Sequence, residues 1–483
     1  MDIKRIKCKA DIVFKFVYLI LAIFTFNAFT DKTAISRYYT YISFAFGVIV
    51  FLLRFFSFKD YKNTKGLFLL IAFSFLSVVS ALINFRYGGK YDIIENLQSL
   101  VWMLFSFFIL YAYDVNTEKS DIKKEFKLIS YFLLFYNIVA VVISILMMAN
   151  NYIIKEVRDG ALVLGGFLWN RLWGIYTDPN HGSILAAICV IISLYYIGNK
   201  PKAFALIVHI INILLSLIYI ACSDSRTGLV SLISGIVVFV YLYLVRREFK
   251  FIKIKGIKYI FCAFMSLIIA STSLFAVNLS KNVISAIRIK NIEISMENGD
   301  LPENVVLGDL TIGRHESENN DDLSEDISNR RFGIWKSGLE IFAKAPLFGT
   351  SFRGMISFAK KALPNTYILN NDAGVFNCMH NSLLDVLVSQ GIIGFAVFIA
   401  FAILILVNLF KGIKTIKDKD DYLLISSLAS IILLIAVSSL FLSQMVYINS
   451  IGGIVFWMFL GYAMNYLNAS LFEEKSLCRK SAL

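Results

Sequence analysis

Long apolar runs recur along almost the whole of this sequence, and they constrain its fold more than any other feature. A helix that spans a bilayer needs about 20 mostly apolar residues. The composition agrees, because 58% of the residues are hydrophobic and only 5 are proline, which is not typical of soluble domains. The sequence therefore predicts an all-α integral membrane protein with about twelve transmembrane helices. The predicted spans lie near residues 12–29, 38–56, 67–84, 97–113, 127–149, 182–198, 203–221, 227–245, 258–278, 382–410, 421–441 and 446–467.

Positive charge indicates how these helices are oriented. Cytoplasmic loops are enriched in Lys and Arg, a bias that holds for short loops and not for long ones. With the N-terminus inside, far more basic residues fall in the inner segments than in the short outer ones. We therefore expect both termini in the cytoplasm and residues 150–181, 222–226 and 279–380 outside. The net charge of +13 is assigned to cytoplasmic loops, so no nucleic-acid partner is expected.

The long polar segment between the ninth and tenth spans divides the chain. Because it is too long for a simple connector, we expect an external subdomain there. The predicted organisation is a membrane domain of nine spans over 1–278, an external loop subdomain over 279–381, three spans over 382–467 and a cytoplasmic tail over 468–483. The acidic stretch 316–326 lacks the pattern of a calcium loop and reads as a solvated segment. The 6 cysteines show no metal-ligand spacing, so we expect no metal site and no cofactor.

Three polar motifs each precede a span that is predicted to enter the membrane from outside. They are Thr177-Asp178-Pro179-Asn180-His181, Ser223-Asp224-Ser225-Arg226-Thr227-Gly228 and Met379-His380-Asn381-Ser382. Asp and Ser are common helix caps, and proline suits the first helical turn. For Asp178 and Asn180, capping alone is as good an explanation as function. Arg226 is not a capping residue, and its alternative role is to contact lipid headgroups.

Two further segments carry polar groups next to the predicted outer face. Residues 330–349 predict an amphipathic helix on the membrane surface that begins at Arg330 and Arg331 and ends before Gly349. In the tenth span, Asn381 and Asp385 lie one helical turn apart and share a face. An ionisable residue inside a span is a functional candidate, although Asp385 has packing against another polar helix as an equal alternative.

These motifs resemble the O-antigen ligase and O-antigen polymerase family in order and in topology, over roughly residues 175–410. The resemblance rests on Ser225-Arg226-Thr227-Gly228, on Arg331 and Trp335 leading to Pro346-Leu347-Phe348-Gly349, and on His380-Asn381-Ser382-Leu383 followed by Gly391-Ile392-Ile393-Gly394. Two departures occur: Gly349-Thr350-Ser351 stands where the family has Gly-x-Gly, and Met379 precedes the histidine. Both departures leave the local loop shape open, but not the roles of the residues.

The resemblance implies a GT-C-like membrane glycosyltransferase whose donor is a sugar chain on undecaprenyl diphosphate. It assigns His380 as the catalytic residue and Arg226 and Arg331 as the diphosphate-binding residues. The chemistry agrees, because guanidinium groups and helix N-termini bind phosphate oxygens and histidine can accept the proton of an acceptor hydroxyl. Possible supporting residues are Asp178, Asn180, Arg330, Asn381 and Asp385. Since no carboxylate stands out as a nucleophile, we expect an inverting, metal-independent transfer.

The favoured function is polymerisation of undecaprenyl-diphosphate-linked repeat units into surface polysaccharide (O-antigen or capsule) at the outer face of the bacterial cytoplasmic membrane. Two alternatives stay open: an O-antigen ligase that moves the finished glycan to lipid A core or another acceptor, and a transporter or flippase of the same lipid. The expected partners are the lipid-linked donor, the glycan acceptor and membrane lipid, with flippase and chain-length regulator proteins as further candidates.

Overall fold

The computed structural model describes residues 3–114, 116–249, 252, 254–297, 311–313, 330–371 and 374–481. The acidic stretch 316–326 and His315 lie outside the described residues. In chain order the helices are α1 (Ile3–Thr25), α2 (Ala34–Phe56), α3 (Phe58–Tyr61), α4 (Leu67–Ile83), α5 (Phe85–Phe105, continued by a π-helical segment Ser106–Tyr111), α6 (Lys119–Ala149), α7 (Pro179–Gly198), α8 (Ala203–Ser223), α9 (Arg226–Val245), α10 (Lys255–Glu297), α11 (Arg331–Lys344), α12 (Met355–Ala362), α13 (Ser382–Thr415), α14 (Lys419–Ser438) and α15 (Ile451–Ser481).

Every predicted span overlaps one of these helices. Within the described residues, nine helices are long and apolar enough to cross a membrane: α2, α5 with its π-helical continuation, α6 to α10, α13 and α14. The runs at 12–29, 67–84 and 446–467 fall in α1, α4 and α15, and α4 is apolar but only 17 residues long. The chain is thus a multi-pass membrane protein. The figure of twelve spans stays a prediction.

Two helices lie at the centre of the bundle. α7 and α14 are each 72% buried along their apolar windows, more than the other candidate spans among the described residues. A helix that is apolar on all sides is expected inside a bundle, and α7 packs against α8, α9 and α14. The first polar motif therefore lies at the start of a central helix.

A small β-sheet interrupts the helical pattern between α6 and α7, where no strand was predicted. The strands are β1 (Ile153–Arg158), β2 (Ala161–Leu168) and β3 (Arg171–Gly174), and they pair antiparallel in that order. Both hairpin turns have two residues with positive φ: Asp159 and Gly160, then Trp169 and Asn170. Asp-Gly is a typical signal for such a turn. The prediction of an entirely helical protein is therefore corrected to a helical bundle with one three-stranded sheet among the described residues.

The ninth span also continues farther than predicted. α10 extends to Glu297, well past residue 278, because no proline or glycine interrupts the sequence after Gly256. Its distal part contacts the sheet: Arg288 Nη2 donates to Asn151 Oδ1 at 2.5 Å, and the guanidinium lies 4.2 Å from the ring centroid of Phe167. The predicted external subdomain thus begins as a continuation of this helix.

The amphipathic helix predicted at 330–349 is present as α11, but its apolar side does not face outward. Ile334 and Ile341 are buried in a cluster with Met355 and Phe358, and α11 packs against α13. Leu339, in contrast, is exposed. The amphipathic pattern identified the helix, but the buried side covers other parts of the protein and not a membrane surface.

α13 is broken at Gly391, and the segment after α11 crosses it there. Gly391 has a φ of +65°, and a Cβ atom on it would lie 2.3 Å from the carbonyl oxygen of Leu347. Backbone hydrogen bonds join the two segments: Ile392 N donates to Pro346 O at 2.8 Å, and Thr350 N donates to Val388 O at 2.9 Å. The Pro-Leu-Phe-Gly and Gly-Ile-Ile-Gly elements are therefore two sides of one contact.

Ser351 maintains the turn at the position where the family pattern has glycine. Its φ is +62°, a conformation that glycine adopts with least strain. The Ser351 hydroxyl oxygen accepts hydrogen bonds from Asn96 Nδ2 at 3.1 Å and from Gly354 N at 3.2 Å. These contacts hold the loop in shape without the glycine.

Candidate functional site

The three polar motifs begin their helices as predicted. Asp178 Oδ1 accepts from Asn180 N at 2.8 Å at the start of α7, and Ser225 Oγ accepts from Gly228 N at 3.0 Å at the start of α9. Asn381 Oδ1 accepts from two backbone N–H groups at 3.0 and 3.1 Å at the start of α13. The capping roles are confirmed, and they leave three helix N-termini at one end of the bundle.

Side-chain contacts join the first two motifs. The Ser225 hydroxyl donates to Asn180 Oδ1 at 2.7 Å, so Asn180 fastens α9 to α7. The helices approach so closely that a Cβ atom on Gly228 would lie 2.2 Å from the Ser183 Cβ atom. This close approach explains why glycine follows Ser-Arg-Thr in the second motif.

A cavity of about 250 Å³ lies at this end of the bundle. Among the described residues, three guanidinium groups and an imidazole face one carboxylate across it, a set that is electropositive and suited to an anion. Five of the eight predicted site residues line it: Asp178, Asn180, Arg330, Arg331 and His380. Its other lining residues are Arg171, Trp173, Pro179, Ile334 and Phe376.

Arg331 connects the external segment to the second motif. It is the first residue of α11, and Arg330 precedes it with a φ of +65°. Arg331 Nη2 donates to Thr227 Oγ1 at 3.3 Å, and the guanidinium carbon lies 6.0 Å from the ring centroid of Phe441. The arginine pair therefore stands at a helix N-terminus, which adds partial positive charge.

His380 is held through its neighbour in the chain. Its φ is +48°. In Met379, which precedes it, both the backbone N–H group and the backbone carbonyl form hydrogen bonds. Met379 N donates to Asp385 Oδ1 at 2.8 Å, and Trp335 Nε1 donates to Met379 O at 3.0 Å. The imidazole packs edge-on against Phe376 with the ring centroids 5.9 Å apart. These contacts orient the loop that presents the imidazole to the cavity.

The imidazole is biased towards its neutral form. Burial lowers the pKa of His380 from the ordinary value of 6.5, the positive charge of Arg331 lowers it further, and the carboxylate of Asp178 acts in the opposite direction. Within the described residues, neither ring nitrogen of His380 forms a hydrogen bond. A neutral imidazole with an available nitrogen can accept a proton.

Three predicted site residues do not line the cavity. Arg226 is exposed; because successive helical residues point about 100° apart, Ser225 and Thr227 face their partners while Arg226 projects elsewhere. Asn381 caps α13. Asp385 is buried and binds Met379 N, so the structure favours a positioning role for it over direct contact with substrate.

The cavity also contains residues that sequence reasoning did not identify. Arg171 Nε donates to the carbonyl oxygen of Ser223 at 2.9 Å, which supports the C-terminal end of α8. Trp173 follows two positions later on β3 and lines the same wall. In the sequence these two residues are separated by one position, the spacing that places side chains on the same face of a strand. This spacing is informative only once the hairpin is known.

Residues 211–399 match the sequence model of the O-antigen ligase family. This region is an O-antigen ligase family domain. It extends from α8 into α13 and includes Arg226, Arg331 and His380, whereas the Asp178 motif lies before it. The family implies glycosyltransferase activity on lipid-linked glycans and a place in polysaccharide biosynthesis. A search of curated proteins gives no match to the chain.

Proposed function

We propose that this protein polymerises undecaprenyl-diphosphate-linked repeat units into surface polysaccharide at the outer face of the cytoplasmic membrane. The observation that supports the proposal is the electropositive cavity, where arginines from β3 and α11 surround a histidine biased towards its neutral form. An anionic leaving group and a base for the acceptor are the two requirements of transfer from a diphosphate.

In this proposal the arginines bind the diphosphate. Arg331 contacts it from within the cavity, with Arg330 beside it at the start of α11. Arg226 is exposed and directly precedes Thr227, which contacts Arg331. At this exposed position, the Arg226 guanidinium can contact the lipid-linked substrate as the substrate enters the site. Guanidinium groups pair bidentately with phosphate oxygens and stabilise the charge that develops as the bond breaks.

His380 accepts the proton of the acceptor hydroxyl. The hydroxyl oxygen forms the new bond to the anomeric carbon while the bond from that carbon to the diphosphate oxygen breaks. The bonding electrons leave with undecaprenyl diphosphate, and the hydroxyl proton passes to the imidazole. Asp178 stabilises the resulting imidazolium, because its charge favours the protonated form.

We propose a single displacement that inverts the anomeric carbon and needs no metal. Asp178 is the one carboxylate that lines the cavity in the described part of the chain. It already accepts a hydrogen bond as the cap of α7, which argues against a role as a dedicated nucleophile. Arginines provide the positive charge that the leaving group requires.

The proposed orientation has both termini in the cytoplasm and the cavity outside. Leu339 is exposed on α11, and Lys62 is exposed between α3 and α4. In a background without native cysteines, an impermeant maleimide should label Leu339→Cys in intact cells and Lys62→Cys only after permeabilisation. The reverse pattern would contradict the orientation.

A deletion strain distinguishes the polymerase from the second candidate. The matched family is described as O-antigen ligase, so ligation to a terminal acceptor is the alternative activity. Loss of a polymerase leaves single repeats on the surface acceptor, whereas loss of a ligase leaves long chains on undecaprenyl diphosphate. Gel analysis of both fractions decides between them. Unchanged glycans in both fractions would reject transfer, whereas loss of all glycan from the surface acceptor with single repeats left on undecaprenyl diphosphate would favour transport. Flippase and chain-length regulator proteins remain proposed partners.

A further inference from the structure

A second polar cavity, of about 430 Å³, lies close to the arginine cavity. It is formed by the end of α1, by α2, by α5, by the loop before α12 and by the segment after α14. The Phe26 ring lines this cavity and lies 4.1 Å from the His181 ring at the start of α7. The segment after α14 joins both sites: Phe441 lies against Arg331, and Asn449 lines the second cavity.

One face of α5 supplies most of the polar lining. Glu95, Gln98 and Trp102 follow at spacings of three and four residues, so they project from the same side of the helix, and all three line the cavity. Ile94 and Leu97, on the adjoining side, are exposed apolar residues. The polar side chains of α5 therefore face the cavity, while apolar side chains occupy the adjoining side.

The charged groups of this cavity are not paired with each other. Arg353 Nε donates to Ser99 Oγ at 3.0 Å, and Arg353 N donates to Asn96 Oδ1 at 3.1 Å, which fixes the arginine against α5. Within the described part of the chain, Glu95 forms no hydrogen bond or ion pair, although it lines the same cavity as Arg353. Both charged side chains are exposed, so they are accessible to a ligand.

Asn449 adds donors to this lining. Its Oδ1 atom accepts from the Tyr18 hydroxyl at 2.9 Å, while its amide N–H groups form no hydrogen bond among the described residues. The cavity thus offers hydrogen-bond donors from Arg353 and Asn449 and acceptors from Glu95. Gln98 provides both a donor and an acceptor, and Trp102 provides an aromatic surface. Sugar hydroxyls both donate and accept, and the C–H face of a pyranose packs on aromatic rings.

We propose that this second cavity binds the saccharide of the acceptor. The inference rests on the proposed transfer function and deepens it, because it assigns the acceptor a site. The arginine cavity suits the diphosphate of the donor, whereas the second cavity has one arginine and one glutamate and suits an uncharged glycan. A volume of about 430 Å³ falls within the range of about 300–1,000 Å³ typical of ligand pockets. Phe26, which lines the cavity, contacts His181 of α7, and the charge of His181 acts on His380.

The test uses the full chain in nanodiscs and the variants Glu95→Gln and Gln98→Ala. Both side chains are exposed, so the substitutions leave packing intact. The matched control is Glu293→Gln, an exposed carboxylate on α10 outside both cavities. The probe is the lipid-free oligosaccharide that mild acid releases from the lipid-linked glycan of the producing cells. Its binding is measured by saturation-transfer NMR.

Loss of a hydrogen bond to a charged group typically weakens binding about tenfold to a hundredfold. We expect the oligosaccharide to bind the unmodified protein and the control equally and not to be displaced by inorganic pyrophosphate. It should bind Glu95→Gln at least about tenfold more weakly and Gln98→Ala about two- to tenfold more weakly. Equal affinity in all four proteins, displacement by pyrophosphate, or no binding to the unmodified protein would overturn the inference.

Transfer kinetics separate this inference from the proposed function. With both correct, Glu95→Gln raises the KM for the acceptor and leaves the KM for the donor unchanged. Normal acceptor KM in an active enzyme would reject the acceptor site and leave the transfer function standing. Oligosaccharide binding that depends on Glu95, in a protein that transfers no glycan, would support the saccharide site and reject the proposed function.

Discussion

Replacing His380 with asparagine separates catalysis from folding at this position. His380 has a φ of +48°, and asparagine tolerates this left-handed conformation better than alanine does. The flanking contacts of Met379 with Asp385 and Trp335 do not involve the imidazole. The structural loss is mainly the edge contact with Phe376, worth about 0.5–1.5 kcal/mol. His380→Asn should therefore insert and fold.

The catalytic loss should be much larger. General-base catalysis contributes about 100- to 10,000-fold, or about 2.7–5.4 kcal/mol at about 1.36 kcal/mol per factor of ten. We expect His380→Asn and His380→Ala to lose turnover in this range while the donor affinity stays near that of the unmodified protein. The assay is glycan transfer in nanodiscs, normalised to folded protein. Turnover within about threefold of the unmodified protein, a loss well below the general-base range, would remove His380 from the mechanism, and weakened donor binding would assign it to the diphosphate site.

Three further predictions concern residues around this site, and a fourth concerns the break in α13. Arg331→Lys keeps the charge but loses the planar fork, so transfer should fall by about 30- to 1,000-fold; full activity at normal protein levels would contradict direct phosphate recognition. Because burial and Arg331 lower the pKa of His380, activity should be lost only as pH falls below the ordinary histidine value of 6.5. Asp178→Asn retains a good cap but removes a charge that raises the pKa of His380, so the acid limb of the pH–rate profile should move to lower pH; an unmoved limb would show that the carboxylate does not act on the imidazole. Gly391→Ala should destabilise the protein by at least about 2 kcal/mol, measured by thermal unfolding, because its Cβ atom would meet a backbone carbonyl oxygen at 2.3 Å. Gly256→Ala, with nothing within 4 Å of the added atom, is the control and should be neutral or slightly stabilising.

Local sequence patterns predicted the helices and their starts. Each of the twelve apolar runs falls on a helix of the structure. Such runs predict helices because lipid requires the backbone to form its hydrogen bonds within the segment. The caps at Asp178, Ser225 and Asn381 were also predictable, since each side chain binds an N–H group only two or three residues farther along. Such contacts depend on neighbours in the chain and leave a pattern in the sequence.

The resemblance to a family located the functional residues, but not their arrangement. Asp178, Arg331 and His380 come from segments far apart in the chain, and only the packing of α7, α11 and α13 brings them to one cavity. Arg226 was expected to share the diphosphate site with Arg331, but it is exposed and does not line the cavity, whereas the neighbouring Thr227 is buried and contacts Arg331. Helix rotation depends on which face packs against neighbours, and a short motif does not contain that information.

The sequence by itself determined that the chain spans a membrane, where α7, α9 and α13 begin and which residue types are available for phosphate and proton chemistry. Only the tertiary structure decided that α11 buries Ile334 and Ile341 against the protein and that the segment after α11 crosses α13 at Gly391. It also decided that Glu95 and Arg353 line a common cavity. The physical reason is the range of the interactions. Hydrogen bonds within a helix and transfer into lipid act on neighbouring residues, whereas cavities form between segments whose contact depends on the packing of the whole bundle.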